Sequence, residues 1–258
     1  MQITKTMTEM KNMANLFDFK LVFTQIPDLL RYLPVTLELS VISMLIGIIL
    51  GLILAIIKIR QVPVLKHIAT FFISLIRGTP ILVQLYIAYF GIPMFFKWFN
   101  AKNGTDFKVA EVSGFVYAVI ALGINQSAYN AEFIRAALLS VGEGQIEAAS
   151  ALGMTYLQAL RRIILPEAIT VALPSLGNSF IPVIKGTSLA FTCAVVEMTA
   201  QGKILGGRTY RYFEVYVSLA IIYWVITIII EQLLKAAEKK IAIPDQVANY
   251  IPEDEVKA

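Results

Sequence analysis

The sequence predicts an all-α integral membrane protein with five transmembrane helices. Three observations lead there. Hydrophobic residues make up 57% of the 258, the mean hydropathy is +0.71, and only 16% are charged. A water-soluble chain of this length would leave too much of that apolar surface exposed. The apolar residues also fall into five long blocks separated by short polar stretches. The net charge of +4 gives no reason to expect nucleic acid as a partner. Cys193 is the single cysteine and His67 the single histidine, so no intrachain disulfide and no His/Cys metal cluster is expected.

Residues 1–33 form a polar segment followed by an amphipathic stretch. Leu16 to Tyr32 mixes Phe17, Leu21, Phe23, Leu29 and Leu30 with Asp18, Lys20, Asp28 and Arg31. It is too charged to span and reads as one helix lying on the membrane surface. The N-terminus lacks the compact apolar core and small-residue cleavage site of a signal peptide, so the first span is expected to direct insertion. That span is Pro34 to Ile57, long enough to cover a hydrocarbon core of about 30 Å at about 1.5 Å per residue. Gly47 and Gly51 form a GxxxG pair that permits close helix contact. Lys58, Arg60 and Lys66 follow and suit a cytoplasmic connection.

The second block, Ala69 to Phe96, is interrupted at Arg77-Gly78-Thr79-Pro80, where glycine and proline kink or break a helix. Arg77 is expected at the cytoplasmic end. Lys97 to Glu111 reads as a polar loop. Val112 to Leu139 is the third block, and its second half carries Asn125, Gln126, Ser127, Tyr129, Asn130 and Glu132. Such residues face a protein interior or a wet cavity, not lipid. Ala168 to Ala200 is the fourth block, interrupted by Pro174 and Pro182, and Phe213 to Leu234 the fifth. Lys235, Lys239 and Lys240 lead into a polar tail, assigned to residues 237–258.

Between the third and fourth blocks lies the most informative stretch, Glu147-Ala148-Ala149-Ser150-Ala151-Leu152-Gly153, nine residues, then Ile163-Ile164-Leu165-Pro166. It reads as two short helices. Gly153 supplies a left-handed stop, Thr155 caps the second helix, and Pro166 keeps it from continuing unchanged into the next block. Small residues leave a flat face for docking, beside Arg161 and Arg162.

The order Glu-Ala-Ala, three residues, Gly, nine residues, Ile, one residue, Leu-Pro resembles the EAA motif of permeases of bacterial ABC importers, with every fixed position present. Arg77-Gly78-Thr79-Pro80 with Val83-Gln84-Leu85, Gln126 to Arg135 and Asn178 to Leu189 resemble the polar amino acid branch of that family. The resemblance covers residues 34–236. It implies a type I importer transmembrane domain with a cytoplasmic EAA coupling loop, in which Glu147, Ala148, Ala149, Gly153, Arg161, Arg162, Leu165 and Pro166 meet the ATP-binding subunit. It also implies the partners: a dimer of ATP-binding subunits, a second permease subunit (identical or paralogous), an extracytoplasmic amino-acid-binding protein and membrane lipid. ATP and magnesium would belong to the ATPase; no cofactor is expected on this chain, which has no Gly-x4-Gly-Lys-Ser/Thr loop. The implied location is the bacterial cytoplasmic membrane, with the N-terminus outside and the C-terminus in the cytoplasm. The positive residues Lys5, Lys11, Lys20 and Arg31 run against that orientation, so the resemblance decides it.

A substrate pathway is expected at Gln84, Asn125, Gln126, Asn130, Glu132, Asn178, Lys185, Thr187 and Ser188. Lys185 lies inside an apolar block, where a charge is costly and needs a partner. Two readings stand. Either Lys185 and a half-helix starting at Thr187 and Ser188 bind a substrate carboxylate, or Lys185 pairs with Glu132 or Glu197. The family has Lys-Asp-Thr-Ser at this point, and Gly186 in place of the Asp disfavours arginine or lysine as cargo. The neutral amides suit a polar, net-neutral amino acid. Thr187 to Phe191 and Arg211 to Glu214 are similar to permeases of the cystine branch; glutamine and basic amino acids are the alternatives. An ion-coupled secondary transporter would also explain the spans, but not the EAA spacing. A membrane scaffold would leave Lys185 and the polar third block unexplained. Cys193 is expected to be a small core residue.

Overall fold

The computed structural model describes residues 17–241; the expected polar stretch before them lies outside the described residues, and of the tail assigned to 237–258 only 237–241 are described, as helix. Two short helices come first, α1 (Phe19–Thr24) and α2 (Ile26–Leu30). The single surface helix expected over Leu16 to Tyr32 is therefore not formed. The chain breaks at Gln25, ahead of Pro27, whose ring crowds the carbonyl four residues back. Nor does this segment only lie on a surface. Val22 and Leu29 are buried, and the Ser218 hydroxyl donates to the Val22 carbonyl at 2.7 Å. Asp18 caps α1 by accepting from the Lys20 and Leu21 N–H groups, and its own N–H donates to the buried Glu214 carboxylate at 3.2 Å.

The long helix α3 (Leu33–Ile59) follows, then a turn in which Gln61 and Val64 adopt left-handed φ values of 50° and 65°. Next come α4 (Leu65–Gly78), an extended Thr79, α5 (Ile81–Tyr86), a π-helical stretch over Ile87–Gly91, and α6 (Ile92–Asn103). The break expected at Gly78–Pro80 is present. It leaves α4 as a separate helix of 14 residues, while Ile81–Asn103 is the stretch long and apolar enough to cross a membrane. The polar loop expected from Lys97 is in fact helical as far as Asn103. Aromatic contacts extend the helix: Phe96 and Phe99 both pack on Phe107, and Lys102 lies 5.0 Å from the Trp98 ring centroid. Gly104, at φ +64°, ends it.

The central helix is α7 (Gly114–Leu139). It packs along α3, where the GxxxG pair does the work: a Cβ on Gly47 would meet Gln126 Cβ at 2.8 Å, and one on Gly51 would meet the Ala131 nitrogen at 3.0 Å. Then come α8 (Glu143–Ala151), α9 (Tyr156–Ala159), a π-helical stretch over Leu160–Ile164, α10 (Leu165–Gly186) and a 3-10 stretch over Thr187–Cys193. Last are α11 (Met198–Thr209) and α12 (Tyr212–Ile241). Helix α12 continues past Leu234, where the fifth span was expected to end.

By length and composition four helical stretches among the described residues qualify as membrane spans: Leu33–Ile59, Ile81–Asn103, Tyr156–Cys193 and Tyr212–Ile241. The third expected span, α7, is long enough at 26 residues, but Asn125, Gln126 and Asn130 make it too polar to join that set. Its position explains the composition. Thirteen of its residues are buried by neighbouring helices, so protein and not lipid solvates its amides.

One core cluster joins α3, α5, α7 and the 3-10 stretch through Leu39, Leu85, Ala118, Leu122 and Ala190, and Cys193 is buried within it, as expected of a small core residue. A second joins α2, α10, α11 and α12 through Leu29, Ile184, Met198, Val215 and Leu219. Glu197, fully buried, caps α11 by accepting from the Thr199 and Ala200 N–H groups at 2.9 and 2.8 Å. Burial pushes its carboxyl above the usual carboxylate range, against the opposing pull of these N–H groups.

Candidate functional site

The loop between α7 and α10 is built by capping. Helix α8 ends in a Schellman motif: the Met154 N–H donates to the Ala149 carbonyl and the Gly153 N–H to the Ser150 carbonyl, both at 3.0 Å. This geometry puts Gly153 at φ +75°. Thr155 then opens α9 with a capping box, its hydroxyl accepting from the Gln158 N–H while the Gln158 side chain accepts from the Thr155 N–H. Ile146 and Leu160 pack on the buried Val141, Ile164 and Ala168, fixing the two helices against the bundle end.

At Pro166 the helix does not continue unchanged, as expected, but it does not break either. The chain is helical from Tyr156 to Cys193, with the π-helical stretch just ahead of the proline. A proline removes one helical donor and crowds the preceding turn, and the wider π turn accommodates both. Of the expected coupling residues, Glu147, Ala148, Gly153, Arg161, Arg162, Leu165 and Pro166 are exposed, while Ala149 is buried. Beside them stand Leu152, 82% exposed, with Leu157 at 71% and Tyr156 at 58%. Three large exposed apolar side chains thus share one capped loop. Sequence reasoning passed over them because leucine in a helical pattern reads as core.

Near the middle of the bundle, α5, α7 and α10 enclose a groove of about 570 Å³. Its α7 wall is Leu122, Asn125, Gln126, Tyr129 and Phe133; its α10 wall includes Ser175, Asn178, Ser179 and Pro182. Both sets follow helical spacing, one face each. Three expected pathway residues, Asn125, Gln126 and Asn178, meet here. Tyr129, expected to face an interior or wet cavity, lines it too. Ser175, Ser179 and Phe133 were missed, although the 175/178/179/182 spacing was the signal that would have found the two serines.

A polar network backs this groove. The Gln126 amide donates to Asn130 Oδ1 at 2.9 Å and to Ser179 Oγ at 3.0 Å. Asn130 is fully buried behind it, donating to Met44 Sδ at 3.7 Å. Asn125 donates to Gln84 Oε1 at 3.0 Å, while the Gln84 amide donates to the Ile76 and Thr79 carbonyls and the Thr79 hydroxyl. Gln84 thus pins the α4–α5 break to the central helix from an adjacent, mostly apolar groove. Glu132 lies towards the coupling loop, paired with Lys58 at 2.5 Å and Arg135 at 3.0 Å. Arg77, expected at this end, stacks over the Tyr129 ring at 5.3 Å.

Lys185 is exposed on the single chain and does not itself line the groove, although its chain neighbour Gly186 does, and no carboxylate among the described residues lies within ion-pair distance of it. The alternative pairing with Glu132 or Glu197 is not formed, since the first holds Lys58 and Arg135 and the second caps α11. The fresh half-helix expected at Thr187 and Ser188 is absent as well. The chain passes from α10 directly into the 3-10 stretch, with Thr187 buried and its hydroxyl donating to the Ile184 carbonyl at 2.7 Å. Ser188 is half-buried on the same stretch.

Residues 47–243 match the family described as the binding-protein-dependent transport system inner membrane component. The chain belongs to that family. It is accordingly a multi-pass inner-membrane component of a transport system, and not a catalytic subunit. Among its relatives is the probable amino-acid permease protein YxeN of Bacillus subtilis (strain 168), 43% identical over 230 residues, covering 89% of this chain and 98% of the relative. The L-cystine transport system permease protein TcyL of the same organism is 39% identical over 229 residues, covering 89% and 93%. The glutamine transport system permease protein GlnP of Escherichia coli (strain K12) is 35% identical over 227 residues, covering 88% and 99%. A crystal structure of an amino acid ABC transporter with histidines superposes with a TM-score of 0.73 at 38% identity, over 87% of this chain and 99% of that one. The inward-facing MetNI methionine ABC transporter shares the fold, with a TM-score of 0.66 at 18% identity over 83% and 96%.

Proposed function

We propose that this chain is the permease subunit of an ATP-driven importer of polar amino acids, with L-cystine or a related amino acid as cargo. The observation that carries the reading is the groove between α7 and α10, where Asn125, Gln126 and Asn178 bring neutral amides to the middle of a membrane bundle. Amides without net charge suit a zwitterion with a polar side chain. Lys185, exposed next to the groove-lining Gly186 and free of any acid among the described residues, meets the carboxylate in this reading. Glutamine is the second reading, favoured by the same amides and by the likeness to GlnP at 35% identity.

The partners follow from that role: a dimer of ATP-binding subunits holding ATP and magnesium, a second permease subunit that closes the groove, and an extracytoplasmic amino-acid-binding protein that delivers the cargo. The loop from Glu143 to Ile164 docks in the ATPase through Leu152, Tyr156, Leu157 and the motif residues. Closure of the ATPase then moves α7 and α10, which are continuous with that loop at its two ends.

Uptake by the reconstituted importer tests the reading. Wild type accumulates L-cystine or L-glutamine when ATP is supplied inside. Lys185→Met removes a charge-assisted hydrogen bond worth roughly 1.5–3 kcal/mol, and so lowers uptake at low substrate by about 10- to 100-fold. Recovery of the complex on purification is unchanged, because no ion pair within the described residues is broken. Poor recovery, or undiminished uptake, would remove Lys185 from the pathway.

The coupling loop and the C-terminus lie in the cytoplasm in this reading. In a Cys193→Ser background, Asn103→Cys reacts with an impermeant thiol reagent added to intact cells, and Gln158→Cys reacts only after permeabilisation. The opposite pattern would overturn the orientation.

A further inference from the structure

Helices α7 and α10 are covalently continuous with the coupling loop, but α3 is not. Its C-terminal end is nevertheless fastened to α7 and to the loop itself by residues two apart. Lys58 holds Glu132 of α7 at 2.5 Å. Arg60 Nη2 donates to the Tyr156 hydroxyl at 3.1 Å, and its guanidinium carbon lies 5.5 Å from the Tyr156 ring centroid. Tyr156 is the first residue of α9, held in place by the Thr155–Gln158 capping box. Beyond Arg60 the chain turns sharply through the left-handed Gln61 and Val64 into α4. The far end of α4 carries Arg77 on Tyr129, and the following residues carry the Thr79–Gln84–Asn125 bonds. The path from Tyr156 to the groove wall is therefore short: one clasp, one stiff turn and one helix.

We propose that Arg60 and Tyr156 form a clasp that carries the displacement of the coupling loop into α3 and α4, and so to the α5 side of the groove. Arg60 is a positioning residue for transport, acting through Tyr156; this rests on the coupling role given to the loop above. The chemistry suits the task. The planar guanidinium both donates to the hydroxyl and stacks on the ring, so it follows Tyr156 in position and in tilt. The contact is exposed and modest in strength, which fits a joint that must reset in each cycle.

The experiment measures amino acid transported per ATP hydrolysed in proteoliposomes holding the full importer, with a radiolabelled amino-acid mixture including L-cystine as probe. Arg60→Gln lowers that ratio about fivefold while ATP hydrolysis and co-purification of the ATPase stay at wild-type level. Arg60→Lys, which keeps a cation over the ring, recovers part of it. Tyr156→Phe lowers the ratio less than Arg60→Gln, and adding it to Arg60→Gln causes no further loss, because the two act as one unit. An unchanged ratio in Arg60→Gln would overturn the clasp. So would transport and hydrolysis falling together, which marks a merely structural or docking defect, or additive losses in the double variant. Failure of the wild-type chain to recruit any ATPase would instead overturn the coupling role itself.

Discussion

Gly153→Asp is expected to abolish ATP-driven uptake while leaving the chain folded in the membrane. Gly153 holds φ +75° at the end of α8, where the Schellman bonds require a left-handed residue. Aspartate adopts that conformation at a cost of about 1–2 kcal/mol, and a Cβ there meets nothing within 4 Å. The fold therefore survives. What changes is the docking face. A carboxylate now stands beside Leu152 at the tip of the loop, on a surface that has to lose water against a partner, and an unpaired charge buried in an interface costs several kcal/mol. The check is twofold: the amount of intact chain in the membrane, and the ATPase that co-purifies with it. Normal membrane levels with no ATPase and no uptake are the expected result. Gly153→Ala, with the strain but not the charge, should fall between. Wild-type uptake by Gly153→Asp would overturn the coupling assignment.

Gly114→Ala should have the largest effect on the fold. Gly114 opens the central helix α7, and a Cβ there would sit 1.8 Å from the Cys193 carbonyl oxygen. That neighbour is backbone, fixed by the buried core around Leu85, Ala190 and Cys193, so it cannot swing aside as a side chain would. One methyl group thus forces α7 and the 3-10 stretch apart, at or above the roughly 3 kcal/mol end of the range for overpacking. The expected outcome is loss of the monodisperse complex on size-exclusion in detergent and a melting temperature lowered by many degrees. Gly144→Ala, where a Cβ meets nothing within 4 Å, is the control and should match wild type. A normal melting curve for Gly114→Ala would mean that α7 starts elsewhere.

Some features were legible because they depend on local chemistry. The Gly153 stop, the Thr155 cap and the Gly78–Pro80 break are each specified by one or two residues whose backbone preferences hold in any context. The GxxxG pair was a weaker signal, frequent by chance, and became meaningful only because α7 presents Gln126 and Asn130 to it. Other expectations failed where packing overrode local preference. The segment after Leu16 was read as a surface helix because its charges exclude spanning; burial of Val22 and Leu29 and the bond to Glu214 were invisible, since those partners lie nearly two hundred residues away. At Pro166 the expected change in the helix is present, but its form, a π turn and not a break, was not legible.

The sequence by itself determined the membrane class, the order and approximate extent of the apolar blocks, and the coupling loop with its caps. These follow from composition, from the length needed to cross a bilayer, and from residues that act on their own backbone. Only the tertiary structure decided which polar residues share a cavity. Asn125, Gln126 and Asn178 meet in one groove, Asn130 and Gln84 are tied up in bonds around it, and Glu132 is paired at the cytoplasmic side of the proposed orientation. The reason is geometric: each helix fixes only the face on which its own residues fall, while a site between helices depends on how α5, α7 and α10 are rotated and set against one another, and that is fixed by contacts between residues far apart in the chain.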